Sequence, residues 1–205
     1  MRTLTFGITL TLLCLRSCLS SPVPGRQESA NPKPDADESS IYSVIVETQF
    51  NQKGVRRIVI EKDRTVPGVL AAPIIDRQQR FERDIQKRIP EARADTIADF
   101  AVKATRPDQF KHPLDIKVPS VFLTREEIDD FFSVARYGWT NFYKAYPGAQ
   151  GILNLSHAGF NSNRSEALVY FGNTTDYEGG AGYFVLLRKK NSSWIIVKQS
   201  MVWVS

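Results

Sequence analysis

The chain has 205 residues, with 27 Lys or Arg against 22 Asp or Glu and a formal charge of +5. That balance is ordinary and argues against the strongly basic surface of a nucleic-acid binder. Its two cysteines, Cys14 and Cys18, lie close to the start, so the rest of the chain can hold no disulfide and offers no thiolate as nucleophile or metal ligand.

Met1 and Arg2 open the sequence, residues 4–15 are apolar and free of charge, and residues 16–21 are rich in small polar side chains. This is the pattern of a secretory signal, too short to span a bilayer, and no later run is long and apolar enough to do so. Two processing routes fit. A cut after Ser20 makes residues 1–20 a signal peptide, whereas residues 15–18 are a degraded lipoprotein box that would place a lipid anchor on Cys18. Either route implies an exported protein, periplasmic or secreted, or held at a membrane by its lipid. Loss of residues 1–18 removes Arg2 and Arg16 and no acid, which takes the charge from +5 to +3.

Residues 21–40 contain four prolines and little that is apolar, and read as a disordered linker. Residues 41–205 are then one domain's worth of chain. Within it, residues 51–93 hold eleven Lys or Arg against six acids. The run lacks the interleaved aromatics that would stack bases, so no nucleic-acid partner is implied; the charges read as a solvated helix surface, with a membrane-surface or acidic-polymer contact as the alternative.

The domain opens with two runs rich in β-branched residues, 41–50 and 55–61, joined by Asn51-Gln52-Lys53-Gly54, which predicts a β-hairpin. Residues 76–89 space Phe81, Ile85 and Ile89 at helical intervals, and a second helix follows Pro90 as far as Ala104. The proline-rich stretch 106–119 predicts irregular connection. Thr124 ahead of Glu127, with Leu123 and Ile128 around them, has the form of a capping box with a hydrophobic staple. The apolar spacing then predicts one long helix from 125 to 146, ended by Pro147-Gly148. From Gly151 the pattern becomes short strands at 152–160, 167–171, 183–189 and 194–204, separated by turns, one of them the glycine-rich stretch 172–182. These predict a four-stranded antiparallel meander. The fold class is therefore α+β, with the long helix packed on the meander in a cone-like, cystatin-like outline by analogy.

The residues Gly159-Phe160-Asn161, the run 167–172 (ALVYFG), Gly180-Ala181-Gly182-Tyr183 with Val185-Leu186-Leu187, Trp194 and Trp203-Val204-Ser205 together resemble the C-terminal signature of a group of uncharacterised exported bacterial proteins. The resemblance covers roughly the last 70 residues. It implies export, a bacterial source and the strand register, and no catalytic residue.

Chemistry must otherwise come from single residues. The acids Glu126, Glu127, Asp129 and Asp130 are what a helix's first turn already favours. His112 and His157 each lack a second histidine or cysteine at metal-binding spacing, so no metal or cofactor is implied. Ser156-His157 lacks the glycine of a nucleophile elbow, and strand neighbours point to opposite faces. The four Asn-X-Ser/Thr sequons, at Asn154, Asn163, Asn173 and Asn191, fall mostly in turns that favour asparagine anyway.

Two functional readings remain. One is a non-enzymatic exported module that binds a small ligand or an envelope component in the concavity between sheet and helix, lined by Trp139, Tyr143, Tyr146 and Trp203. The other is a small exported, hydrolase-like enzyme whose acid and base are assembled only by the fold, for instance His157 with Asp176 or Glu178. A buried, perturbed carboxylate or imidazole in a cleft would favour the second.

Overall fold

A computed structural model describes residues 35–50, 55–64, 66, 77–106 and 108–205. The expected signal segment with Cys18, most of the linker and the turn at 51–54 lie outside the described residues. The elements in chain order are α1 (Ala36–Gln49), β1 (Ile58–Glu61), α2 (Arg77–Arg88), α3 (Ala94–Ala104), β2 (Ser120–Leu123), α4 (Arg125–Phe132), a 3-10 turn (Ala135–Tyr137) and α5 (Gly138–Ala145). The strands β3 (Ile152–Leu155), β4 (Gly159–Phe160), β5 (Glu166–Asp176), β6 (Gly179–Lys190) and β7 (Ser193–Val204) complete the chain.

The strands form one sheet in the order β2-β1-β3-β5-β6-β7, with β4 pairing on β5. Strands β2 and β3 each run parallel to β1, and the remaining pairs are antiparallel. The fold is α+β, and its antiparallel part β3-β5-β6-β7 follows the expected meander, except that the strand expected at 152–160 is split into β3 and β4, which pair separately with β5.

Alternation along β5 sorts the core onto two faces. Ala167, Val169 and Phe171 pack with Ile41, Tyr42, Ile45 and Val46 of α1 on the first face. Leu168 and Tyr170 turn the other way, toward Ile85 and Ile89 at the end of α2 and Ile97 and Phe100 of α3. On that second face, farther along the sheet, Val59 and Ile152 pack with Ile128 of α4 and Trp139 and Phe142 of α5. The sheet is thus the middle of three layers. The cone-like outline drawn by analogy gains no support from this layering.

The hairpin expected at 41–50 is instead the body of α1. Asp35 caps it, accepting from the Asp37 and Glu38 N–H groups at 3.0 and 3.3 Å, so residues 35–40, read from sequence as linker, belong to this element. Ile41, Tyr42, Ile45 and Val46 form one buried stripe at helical spacing, and their burial on the sheet overrides the strand preference of β-branched residues. The surface hydroxyls bond back along the helix, Ser40 to the Ala36 carbonyl at 2.8 Å and Thr48 to Val44 at 2.7 Å.

The helix expected from 125 to 146 begins where predicted and is then broken. The capping box is present, with the Thr124 hydroxyl accepting from Glu127 N–H at 3.2 Å and the Glu127 carboxylate accepting from Thr124 N–H at 2.7 Å. After Phe132 the chain tightens into the 3-10 turn and restarts as α5. Gly138 makes the break compact, since a Cβ there would stand 2.3 Å from the Phe132 ring. Phe132 and Trp139 can then meet edge to face with centroids 5.0 Å apart. The turn expected at 172–182 is mostly strand: β5 and β6 pair through it, and only Tyr177 and Glu178 lie between them.

Buried polar groups tie helices to sheet. The Glu166 carboxylate, 2 % exposed, accepts from Arg93 N–H at 2.7 Å and the Thr96 hydroxyl at 2.9 Å at the start of α3, and from Arg188 at 2.8 Å. Gly159 allows α3 to approach this closely, because a Cβ would meet the Phe100 backbone at 2.4 Å. Among the described residues no helix is long and apolar enough to cross a membrane.

Candidate functional site

On the second face a cleft of about 500 Å³ opens where the α2/α3 cluster and the α4/α5 cluster meet. Ile128 and Asp129 of α4 and Trp139 of α5 line one part of it, and Tyr170, Gly172 and Trp203 of the sheet line another. The parallel strands explain its position. Strand β1 ends at Glu61, and β2 ends beside it and leads directly into α4, so the carboxyl end of the parallel pair and a helix start converge, a recurrent place for ligand sites.

Glu61 is the most deeply placed charged group of the cleft, at 5 % exposure. It lies on the same face as Val59 because side chains repeat every second residue. Burial raises its carboxyl above the ordinary value, opposed by the Asn154 hydrogen bond and the Arg125 charge and reinforced by Asp63. Asn154 Nδ2 donates to Glu61 Oε2 at 2.9 Å, and Arg125, from the first turn of α4, pairs with Oε1. Asn154 Oδ1 is buried without a hydrogen-bond partner.

The aromatic part of the wall is built on glycine. Gly172 and Gly182 face each other across β5 and β6. A Cβ on Gly182 would fall 2.2 Å from Trp203 Nε1 and 2.6 Å from the Tyr170 hydroxyl, and one on Gly172 would fall 2.6 Å from the same hydroxyl. With neither present, the Trp203 indole N–H donates to the Tyr170 oxygen at 2.7 Å. Burial, with Glu61 nearby, raises the Tyr170 phenol above its ordinary value despite that bond, so it stays protonated at neutral pH. On the helix side Tyr177 packs edge to face against Phe132 and Trp139, and its hydroxyl accepts from Gly138 N–H at 3.1 Å, which satisfies a donor at the start of α5.

Of the four aromatics expected to line a concavity, Trp139 and Trp203 do line this one. Tyr143 stacks on Trp139 at 5.7 Å and donates to the Thr175 carbonyl at 2.7 Å, while Tyr146 packs on Phe131 and Phe142. These two support the helix pair. Asp176 lines the cleft and Glu178 sits in the exposed β5–β6 turn.

The structure does not bring His157 to either acid. Strand β3 ends at Leu155, and His157 follows in the connection to β4, with Nδ1 3.6 Å from Glu38 and Nε2 3.2 Å from Asp108. Glu38 also pairs with Arg64 and accepts from Ala158 N–H at 2.8 Å, and Arg64 bonds the Tyr42 hydroxyl, which donates to the Ser156 carbonyl at 2.8 Å. This network locks α1 to the sheet. Ser156 is fully buried, and its hydroxyl accepts from Tyr170 N–H at 2.8 Å and donates to the His157 carbonyl at 2.9 Å. In the acid run, Glu127 serves the capping box and Asp129 lines the cleft, while Glu126 and Asp130 are exposed. His112 is half-buried in the connection before β2, with Nε2 unpartnered.

Sequence reading missed Glu61, Arg125, Asn154 and Tyr170. For Glu61 one signal existed: an acid closing the run Ile58-Val59-Ile60, in phase with Val59 on a buried face. No protein-family model, no curated protein and no solved structure matches this chain.

Proposed function

We propose that this chain is an exported, non-enzymatic module that binds a small organic ligand in the cleft between the α4/α5 pair and the sheet. The observation that carries the reading is the cleft itself, about 500 Å³, with Trp139, Trp203, Tyr170 and Tyr177 in its wall and a buried carboxylate at Glu61. A concave, mostly apolar site with a few convergent polar groups is the usual form of a small-molecule site. Export rests on the pattern of residues 1–20 and on the resemblance of the C-terminal third to exported bacterial proteins. An envelope component that presents such a ligand is the partner this reading favours.

One observation favours the second reading, an acid–base enzyme. Glu61 is a buried carboxylate with a raised proton affinity inside a cleft, which suits a general acid or base. On that reading Glu61 takes the role first considered for His157, Asp176 and Glu178.

A fragment screen of the secreted protein by thermal shift, repeated on Thr174→Phe, tests the binding reading. Thr174 is a cleft-lining strand residue, and the larger side chain fills the space. Fragments that stabilise the wild type and leave the variant unchanged are expected. Equal shifts in both proteins would move binding away from the cleft. Turnover of a bound fragment that disappears in Glu61→Gln would favour the enzyme reading. Mass analysis of the protein recovered from a bacterial envelope distinguishes a cut after Ser20 from a lipid on Cys18; a chain still carrying residues 1–20 would sink the export reading.

A further inference from the structure

We infer that the cleft selects organic cations, seating an ammonium or guanidinium group on Glu61 and the ligand's hydrocarbon or aromatic body against Trp139 and Trp203; this rests on the ligand-binding reading above and names its ligand class. Charge is the first argument. The ionisable groups of the cleft wall include three carboxylates, Glu61, Asp129 and Asp176, and one guanidinium, Arg125, whereas the chain as a whole carries +5. The cleft therefore opposes the molecule's net charge, and its walls focus that negative potential.

Hydrogen bonding is the second argument. Three of the nitrogen donors in the wall are already committed inside the protein. Asn154 Nδ2 and Arg125 Nη2 serve Glu61, and Trp203 Nε1 serves Tyr170. Asn154 Oδ1, by contrast, is a buried acceptor with no donor among the described residues. Among the described residues, Glu61 Oε2 receives only the neutral Asn154 amide, at 2.9 Å. A ligand that brings N–H donors and positive charge can approach Glu61 Oε2 without displacing a cation from that oxygen, since Arg125 pairs with Oε1.

The rings supply the third argument. Trp139, Tyr177, Phe132 and Trp203 all line the cleft, and aromatic faces attract cations, tryptophan most of all. Glu61 already holds one guanidinium, since the Arg125 side chain, 56 % exposed, reaches from α4 to pair with it. An anionic ligand could pair with that guanidinium only by facing the acids around it.

The test uses the full chain, titrated with 2-phenylethylammonium, the isosteric 2-phenylethanol and the anion 3-phenylpropanoate, and followed by the tryptophan indole N–H resonances. The chain has three tryptophans. Trp194, whose indole donates to Asp37 at 3.1 Å on the α1 face, is an internal control that should stay still while Trp139 and Trp203 shift. The ammonium probe is expected to bind about tenfold more tightly than the alcohol, with the anion weakest. That preference should fall several-fold in Glu61→Gln, and also in the Asp129→Asn, Asp176→Asn double variant, whose exposed sites keep the fold intact if the buried glutamate proves indispensable. An alcohol that binds as well as the ammonium, or an anion that binds more tightly, would overturn cation selection and leave the ligand-binding reading standing. If no probe moves Trp139 or Trp203, the cation proposal fails, and the fragment screen alone then decides whether the cleft binds anything.

Discussion

Glu38 and Glu61 are both taken out of water, and their surroundings push them in opposite directions. For Glu38 burial alone would raise the carboxyl, but His157, the Arg64 guanidinium and the Ala158 N–H together hold it well below the ordinary 4.5. A depressed folded value means stability that is present above 4.5 and lost as pH falls toward the folded value. Glu38→Gln should therefore flatten the acid limb of the stability profile. It should also cost about 3 kcal/mol at neutral pH by leaving a buried guanidinium without its anion, as urea unfolding at a series of pH values would report. An acid limb as steep as the wild type's would show that other carboxylates govern it. Glu61 has the reverse sign. Its raised folded value means that stability declines as pH rises from 4.5 through that value. Glu61→Gln removes this decline, so measured against the wild type the variant should gain relative stability between acid and neutral pH. A constant gap between the two proteins across that range would refute the assignment.

At the scale of elements, α4 decides where the cleft wall begins, because its capping box fixes Thr124 and with it Arg125, the partner of Glu61. Thr124→Ala should cost about 1 kcal/mol of stability. If the cap also positions the wall, the variant should shift the Trp139 indole resonance. An unchanged resonance would confine the cap to stability. This helix start was legible in the sequence because the signal is local, four residues whose side chains serve their own backbone. The strands β3, β5, β6 and β7 were legible for a similar reason, as alternation and turns repeat along them. Helix α1 was not, since Ile41, Val44, Ile45 and Val46 carry strand preference and only the distant sheet face makes their helical stripe worth burying. The break after Phe132 was hidden too, because Gly138 matters through the Phe132 ring packed onto it rather than through a turn. The cleft was half legible. Trp139 and Trp203 drew attention as large aromatics, but Glu61, Arg125 and Asn154 are brought together by parallel pairing of β1 with β2 and β3, which no local pattern announces.

Across the whole molecule the layers divide the labour between stability and access. Strand β5 has α1 on one face and α2/α3 on the other, and seven consecutive residues from Glu166 to Gly172 are buried. Opening it would expose both cores at once, so its amides should exchange with solvent only through global unfolding. The α4/α5 pair covers one face of the parallel edge, and its connection runs through Ser133 and Val134, both exposed. Segments with solvent-exposed backbone and few buried contacts open at lower cost. Native-state hydrogen exchange should therefore rank β5 slowest and the connection between α4 and α5 among the fastest, with the α4 and α5 amides between them. A cleft ligand, by adding contacts to Trp139 and Ile128 on one side and Tyr170 on the other, should slow α4 and α5 selectively and leave α1 unchanged, since stabilisation by a ligand is felt in the openings that would release it. If α4 and α5 already exchange as slowly as β5, the cleft wall opens only with the whole domain, and ligand entry must then proceed through the existing mouth of the cleft without movement of the helix pair.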